Sequence, residues 1–394
     1  MIVTVFPVFK YWVYFKLYSL NTYPFIKFTM RLNTIQLFIN SSVMMSNLFI
    51  PLLAHDLGAS GSQIGMIGAL YGGALFISTY IFSRAADLFP TKTLLYAGFT
   101  SAALTFFLQV FAYDPFSLGI IRALAGFSVG IYPAVLMLYV YNLKRSIGKF
   151  SSFMPLGWAV GNLFAGIIAV YWQIFTIASL LFAASFLITL TLPGTETPVK
   201  KKADYFSRDI LKKNWYVYLA FFLRQLGANN IWIIFPLYLS SLGANPLWIG
   251  IIYMINPALQ FFIMRRLDRY NNISLIHAGD LISAVAFVVF IPLTIYYQAV
   301  AGMVLIAFSY SCLYVGSTSF LIENNEEKGA AAGLLNSSFA SATIAGSLLG
   351  GMILEYTNYN YKAVMAAGVF FALLAYSVIR FKFPYSSGRP QKSS

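Results

Sequence analysis

The feature that most constrains this chain is a succession of apolar runs, each close to the length a helix needs to cross a bilayer. At about 1.5 Å per residue, roughly 20 residues span about 30 Å of hydrocarbon. Runs of that kind lie at 33–54, 62–82, 93–112, 115–140, 152–171 and 173–192, and again at 215–239, 246–263, 273–295, 299–321, 331–353 and 361–380. Only 10% of the residues are charged, against roughly 25% in soluble domains, so the apolar surplus must face lipid. The pattern predicts an all-α membrane protein of twelve transmembrane helices.

Charge placement orients the chain. With residues 1 and 394 inside, 23 of the 26 Lys and Arg residues fall on inner segments or inner span ends. Arg122 and Arg224 lie within spans, and only Lys362 sits at an outer end. The positive-inside rule therefore places both termini in the cytoplasm of a multi-pass protein of the cell membrane. The net charge of +14 is spread over short gaps, which suits anionic lipid and excludes a continuous nucleic-acid surface. The lone cysteine, Cys312, and two histidines, His55 and His277, exclude a Cys/His metal site. The chain lacks the phosphate-binding GxxxxGK loop: before Gly148-Lys149, Leu143 stands where the first glycine belongs. No metal and no cofactor is expected, and the chain is expected to act as a monomer.

The longest internal gap, 193–214, carries Lys200, Lys201, Lys202, Arg208, Lys212 and Lys213. It divides the chain into an N-terminal six-helix bundle at 30–192 and a C-terminal one at 215–382, followed by a cytoplasmic tail at 383–394. Residues 1–29 are aromatic and basic, interrupted by Pro7 and Pro24, and lack a small-residue cleavage site. They read either as an interfacial anchor or as an extension upstream of a start at Met30, the second being favoured.

The two halves resemble each other. LGASGSQIG at 57–65 returns as LGANPLWIG at 242–250, an offset of 185, and Pro51 matches Pro236 at the same offset. Independently, GNLFAG at 161–166 matches GSLLGG at 346–351. Duplicated halves of this kind mark transporter folds, with the substrate site between the halves near the midplane.

Several segments resemble motifs of the major facilitator superfamily. SRAADLFPTK at 83–92 and MRRLDRYNN at 264–272 follow the second and eighth spans, where that family carries G-x-x-x-D-R-x-G-R-K. Asp87 and Asp268 take the Asp position, Arg269 the first Arg and Lys92 the final base; Ser83, Leu88, Pro90, Met264 and Asn271 depart from the pattern. The resemblance implies a conformational latch, in which Asp accepts from helix N-terminal amides and pairs with Arg. In the fourth span RALAG, Arg122 to Gly126, resembles R-x-x-Q-G of proton-coupled members, with Ala125 in place of glutamine. Gly157, Gly161 and Gly166, with Gly346, Gly350 and Gly351, resemble the glycine motif of the drug/proton antiporter branch, with Asn162 where a proline is customary.

The resemblance implies that the first, fourth, seventh and tenth helices line a central cavity. Candidate substrate-binding residues on them are Asn40, Ser41, Tyr132, Arg224, Asn229, Asn230, Tyr310 and Tyr314. Asn229 and Asn230 point about 100° apart, and Asn229 shares a face with Gln225. Arg224 either faces the cavity or pairs with an acid such as Asp280. Asp56, beside His55, with Arg122 forms the favoured proton-coupling cluster. Alternating-access transport of a small organic molecule follows, with efflux of amphipathic compounds ahead of uptake of a sugar or organic acid. Juxtaposition of Arg122 and Arg224 across the cavity would favour an organic acid. A membrane enzyme or a non-transporting sensor is a remote alternative. Asp268→Ala is expected to slow exchange between inward- and outward-open forms; unchanged accessibility of cysteines placed at the inner mouth would count against the latch.

Overall fold

The computed structural model describes residues 29–85, 89–143, 150–193 and 208–383. The N-terminal extension up to residue 28, Asp87, most of the basic linker and the tail beyond 383 lie outside the described residues, as does the side chain of Asp268. The described chain is all-helical. The first half contains α1 (Thr29–Asp56), α2 (Gly61–Ala85), α3 (Thr91–Leu108), α4 (Pro115–Asn142), α5 (Phe153–Ile168) and α6 (Tyr171–Leu190). A short helix at Arg208–Lys213 precedes the second half. There α7 has two pieces, Trp215–Trp232 and Phe235–Ser241, followed by α8 (Pro246–Ile263), α9 (Asn272–Val289), α10 (Ala299–Glu323), α11 (Lys328–Tyr356) and α12 (Tyr361–Lys382).

Ten helices among the described residues are long and apolar enough to cross a membrane, two fewer than the sequence pattern predicts. The shortfall has local causes. α5 is only 16 residues long, because the chain turns at Ala169, which takes a left-handed φ of 56°. That places the α5–α6 turn ahead of the gap expected at 172. The first piece of α7 carries Arg224, Gln225, Asn229 and Asn230, which lower its hydropathy, and it breaks at Ile233 and Ile234.

The repeat at offset 185 encodes a helix stop and restart. Pro51 and Pro236 each sit in the first turn of a seven-residue terminal piece, Ile50–Asp56 and Phe235–Ser241, where proline's missing N–H costs nothing. Both pieces end in a left-handed glycine, Gly58 at φ 84° and Gly243 at φ 86°. The next amide bonds back five residues: Ala59 to the Ala54 carbonyl at 2.9 Å and Ala244 to the Leu239 carbonyl at 3.0 Å, a Schellman stop. The restart differs in detail. Asn245 caps α8, its Oδ1 accepting from the Trp248 amide at 3.0 Å. At α2, the Ser60 amide donates to the Gln63 side chain at 2.8 Å and the Gln63 amide donates to the Ser60 hydroxyl at 3.4 Å, a capping box.

Helix pairings also recur. α2–α4, α3–α4 and α3–α6 in the first half match α8–α10, α9–α10 and α9–α12 in the second. Between halves, α2 packs on α11 and α5 on α8, at the end that carries the α1–α2 and α7–α8 turns. Backbones touch there. A Cβ on Gly65 would lie 2.5 Å from the Ser347 carbonyl, and one on Gly250 would lie 2.6 Å from the Asn162 carbonyl. Side chains such as Leu104, Leu180, Leu187 and Phe370 remain exposed on outer faces, as lipid contact requires.

One polar clamp closes the same end. Glu355, on the last turn of α11, accepts from the Ser62 amide at 2.7 Å and the Ser60 hydroxyl at 2.9 Å. A carboxylate of one half thus caps the N-terminus of α2 in the other. Glu355→Ala is expected to shift the protein toward forms open at this end. Spin labels on the α1–α2 and α11–α12 turns should then report longer distances; an unchanged distribution would show that the glycine contacts suffice alone.

Candidate functional site

Between the halves lies a cavity of about 370 Å³. Its walls come from α1, α5, α7, α8, α10 and α11. Polar amides dominate the hydrogen-bonding lining: Asn47, Asn162, Gln225, Asn229, Asn256 and Gln260. Aromatic rings of Trp158, Trp232, Tyr253, Tyr310 and Phe339 line it too, with Arg224 the one charged residue among the lining. Each amide sits on a helix surrounded by apolar residues, so each needs a partner or a ligand. Gln260 donates to Asn256 at 2.6 Å, one turn away on α8. Asn162 donates to the Tyr253 carbonyl at 3.2 Å, tying α5 to α8. Among the described residues, Gln225 Nε2 and Gln260 Oε1 have no partner, leaving one donor and one acceptor unspent.

The predicted substrate residues divide. Arg224, Asn229 and Tyr310 line the cavity. Tyr314 stacks on Tyr310, with centroids 5.7 Å apart, behind the wall. Asn230 turns to α12 and donates to the Val364 carbonyl at 2.8 Å. Asn40 accepts from Trp158 Nε1 at 3.0 Å, and Ser41 donates to the Gly157 carbonyl at 3.1 Å. Both serve the close α1–α5 contact. Tyr132 is buried between Phe99 and Phe182 in the core of the first half. Gly157 and Gly161 admit α1 and Gly346 and Gly350 admit α7 within each half, while Gly166 meets α8 and Gly351 meets α2 across the halves.

The predicted coupling pair is not brought together. Asp56 is exposed, accepts from the Tyr171 hydroxyl at 2.7 Å and lies 4.0 Å from His55 Nδ1. Arg122 is buried, donating to Asn47 Oδ1 at 2.6 Å and Gln109 Oε1 at 3.2 Å. Its guanidinium lies 4.0 Å from the centroid of the Tyr71 ring. A cation in hydrocarbon is costly, and here amide oxygens and a ring face offset that cost. Nor do Arg122 and Arg224 meet across the cavity: Arg122 stands behind Asn47, outside the lining.

Arg224 is 1% exposed. Its Nε donates to Ser283 at 2.7 Å, one Nη to Ser309 at 2.9 Å and the other to Gln225, while the two serine hydroxyls bond each other. Asp280 lies within electrostatic reach of Arg224 without a hydrogen bond to it. On the latch loops, Lys92 donates to the Leu192 carbonyl at 2.7 Å, and Arg269 is exposed at the end of a 3-10 turn, Met264–Arg269. Among the described residues, a contact that crosses between the halves there is one the sequence reading missed: Arg265 donates to the Ser152 hydroxyl at 3.0 Å. Also missed were the α5 and α8 residues Trp158, Asn162, Asn256 and Gln260. An amide inside an apolar run was the available signal.

Solved structures of this shape exist at low identity, where likeness reports fold alone. The nucleoside transporter NupG superposes with a TM-score of 0.76 at 15% identity, covering 91% of this chain and 99% of that one. The human organic anion transporter MFSD10 (TETRAN) gives 0.69 at 14%, covering 89% and 98%. A peptide transporter, POT, gives 0.73 at 12%, covering 89% and 93%. No curated protein sequence matches the chain. The sequence profile of the Major Facilitator Superfamily matches residues 32–255 and 217–394, and with ten apolar helices arranged as described, the chain is an integral multi-pass membrane protein that belongs to the Major Facilitator Superfamily.

Proposed function

We propose that this protein is a secondary transporter that moves a small organic molecule by alternating access, with the central cavity as its substrate site. In this reading twelve helices form two pseudo-symmetric bundles, 30–192 and 215–382. A cytoplasmic linker at 193–214 joins them, and the 383–394 tail lies on the same side. Short α5 and broken α7 complete the twelve, because both run between neighbours that span. The glycine-packed end with the Glu355 clamp is then the outer end, and the conformation is closed to the outside.

The observation that carries the substrate reading is the cavity lining: six amides and five aromatic rings with one cation. Amides offer donors and acceptors without net charge, and Trp and Tyr faces stack on planar groups. This suits an amphipathic molecule with a ring and a hydrogen-bonding edge. Efflux of such compounds stays the first direction proposed, with proton coupling, in a monomer of the cell membrane. Uptake is the second, and within it an uncharged sugar- or nucleoside-like molecule fits better than a di-acid, because a single cationic residue lines the site. The nucleoside transporter among the fold's solved relatives is consistent with that choice.

The test is flux into proteoliposomes across a panel of ring-bearing neutral, anionic and cationic compounds, with and without an imposed pH gradient. Preference for anions carrying two carboxylates would overturn the substrate class, and no flux for any compound would overturn the transport reading. Asn229→Ala is expected to weaken binding of the best substrate by about 1 kcal/mol, a several-fold rise in its half-saturation concentration. Arg122→Ala is expected to insert and fold yet lose coupled transport, because Asn47, a wall residue, is held by that guanidinium. Flux equal to that of the parent protein would remove Arg122 from the mechanism.

A further inference from the structure

Asp280 stands apart from every other acid among the described residues. It lies mid-way along α9, it is 0% exposed, and neither carboxyl oxygen has a hydrogen-bond partner. It is not part of the cavity lining, so a substrate held in the cavity does not touch it. The helices around it are closely packed: Gly279, its neighbour, sits against the backbone of Leu313 on α10, where an added Cβ would lie 2.7 Å from the Leu313 amide nitrogen. With no exposed surface and a backbone pressed against the adjoining residue, the ligand that can reach this carboxyl is a proton.

The surroundings point the same way. α9 packs on α10 and α12. On α10, Tyr310 and Tyr314 stack on each other, Cys312 is buried, and Glu323 at the helix end accepts from Asn272 at 2.8 Å. On α12, Tyr376 meets the ring of His277, Arg380 acts on His277 electrostatically, and Lys382 lies over Tyr216. His277, on α9 itself, bonds the Phe383 carbonyl at 3.3 Å. The charged group that acts on Asp280 is Arg224, from α7. Yet Arg224 gives its donors to Ser283, Ser309 and Gln225 instead. An ionised carboxylate left without donors in this interior would be strongly disfavoured. The arrangement suits a neutral acid beside a cation whose hydrogen bonds go to two serines and Gln225.

We propose that Asp280 is the protein's proton-binding site, and that its occupancy decides where Arg224 directs its hydrogen bonds. With the proton on the carboxyl oxygen, Arg224 bonds the serines and Gln225 and presents its cation to the cavity wall. When the proton leaves, the carboxylate becomes the strongest acceptor near Arg224. The guanidinium turns to it, Gln225 is released, and the cavity loses its cation. Proton and substrate would then be linked through one side chain, Arg224, that both a substrate and Asp280 can engage. The inference deepens the transport reading by placing its coupling ion on Asp280 rather than on Asp56.

The full chain in lipid nanodiscs, without substrate, tests this. Infrared difference spectra over about pH 5 to 9 are expected to show a protonated-carboxyl C=O band that fades as pH rises. The band should vanish in Asp280→Asn and persist in Asp56→Asn. Fluorescence of the cavity tryptophans, Trp158 and Trp232, should change with the same midpoint in the parent and stop titrating in Asp280→Asn. Arg224→Gln should move the midpoint to higher pH, since a nearby cation no longer favours the carboxylate. Should Asp280→Asn fail to fold, Asp280→Glu supplies the reading, with a band displaced in frequency or midpoint. A band unaltered by the Asp280 substitutions, the absence of any titrating band in the parent, or an unmoved midpoint in Arg224→Gln would overturn the proposal. A parent that titrates but transports no compound would sink the transport reading and leave the proton site standing. One that transports with no titrating carboxyl would do the reverse.

Discussion

A polar group in hydrocarbon cannot turn to water, so it must be satisfied by the protein itself. In this chain that requirement orders the interior. Arg122, Arg224, Asn40 and Asn230 are placed where neighbouring helices supply partners, and Asp280, whose carboxyl oxygens have none, is the exception. Ser41 and Asn40 hold α5 through the Gly157 carbonyl and the Trp158 indole. Asn230 holds α12 through the Val364 carbonyl. Glycines at these crossings let the backbones approach until such bonds form, so the glycine pattern and the polar pattern are two sides of one packing solution.

The two halves answer the same demand differently. In the first, Arg122 is surrounded by neutral oxygens and a tyrosine face, an environment that holds a permanent cation without an acid. In the second, Arg224 is ringed by hydroxyls with a carboxyl close by. A cation with neutral partners has one arrangement. A cation with both hydroxyls and an acid has two, which differ by a proton. The pairings of the helices are duplicated, whereas the electrostatics are not. Within the proposed mechanism this assigns positioning to the first half and switching to the second.

Much of the frame was legible in the sequence because it rests on local rules. The LGA repeat is a left-handed glycine stop after a proline-started helical piece, and both copies do the same work at offset 185. Arg224 and Asn229, which line the cavity, were legible because charge and amide are rare inside apolar runs. Tyr310 reached the cavity wall and Tyr132 did not, since a tyrosine is at home in an apolar core and in a wet cleft alike. Asn40 and Asn230 were drawn away by backbone carbonyls of adjoining helices, contacts set by tertiary packing. Asn162, Asn256 and Gln260 carry the same signal as Asn229, an amide inside an apolar run, but stand on α5 and α8, outside the four helices that family resemblance points to. Ten rather than twelve recognisable spans has two local causes: α5 is cut short by the turn at Ala169, and the first piece of α7 carries four polar residues that lower its hydropathy.

The closed end also explains how a tightly packed protein can open. Its contacts are mostly glycine on backbone, which offer dispersion but few hydrogen bonds, and their separation leaves few polar groups bare. The principal polar exception across α2 and α11 is the Glu355 carboxylate on the α2 N-terminus. Its donors, the Ser60 hydroxyl and the Ser62 amide, lie at a helix end where water can replace the carboxylate once the halves part. A contact already exposed to water when shut costs little to exchange, whereas one built of buried ion pairs would leave a charge stranded. The same reasoning applied at the midplane gives the opposite result. There water is scarce, so Arg224 can only trade one protein partner for another. An interface that hydrates easily at its rim and exchanges partners at its centre is the physical condition for two mouths that open in turn.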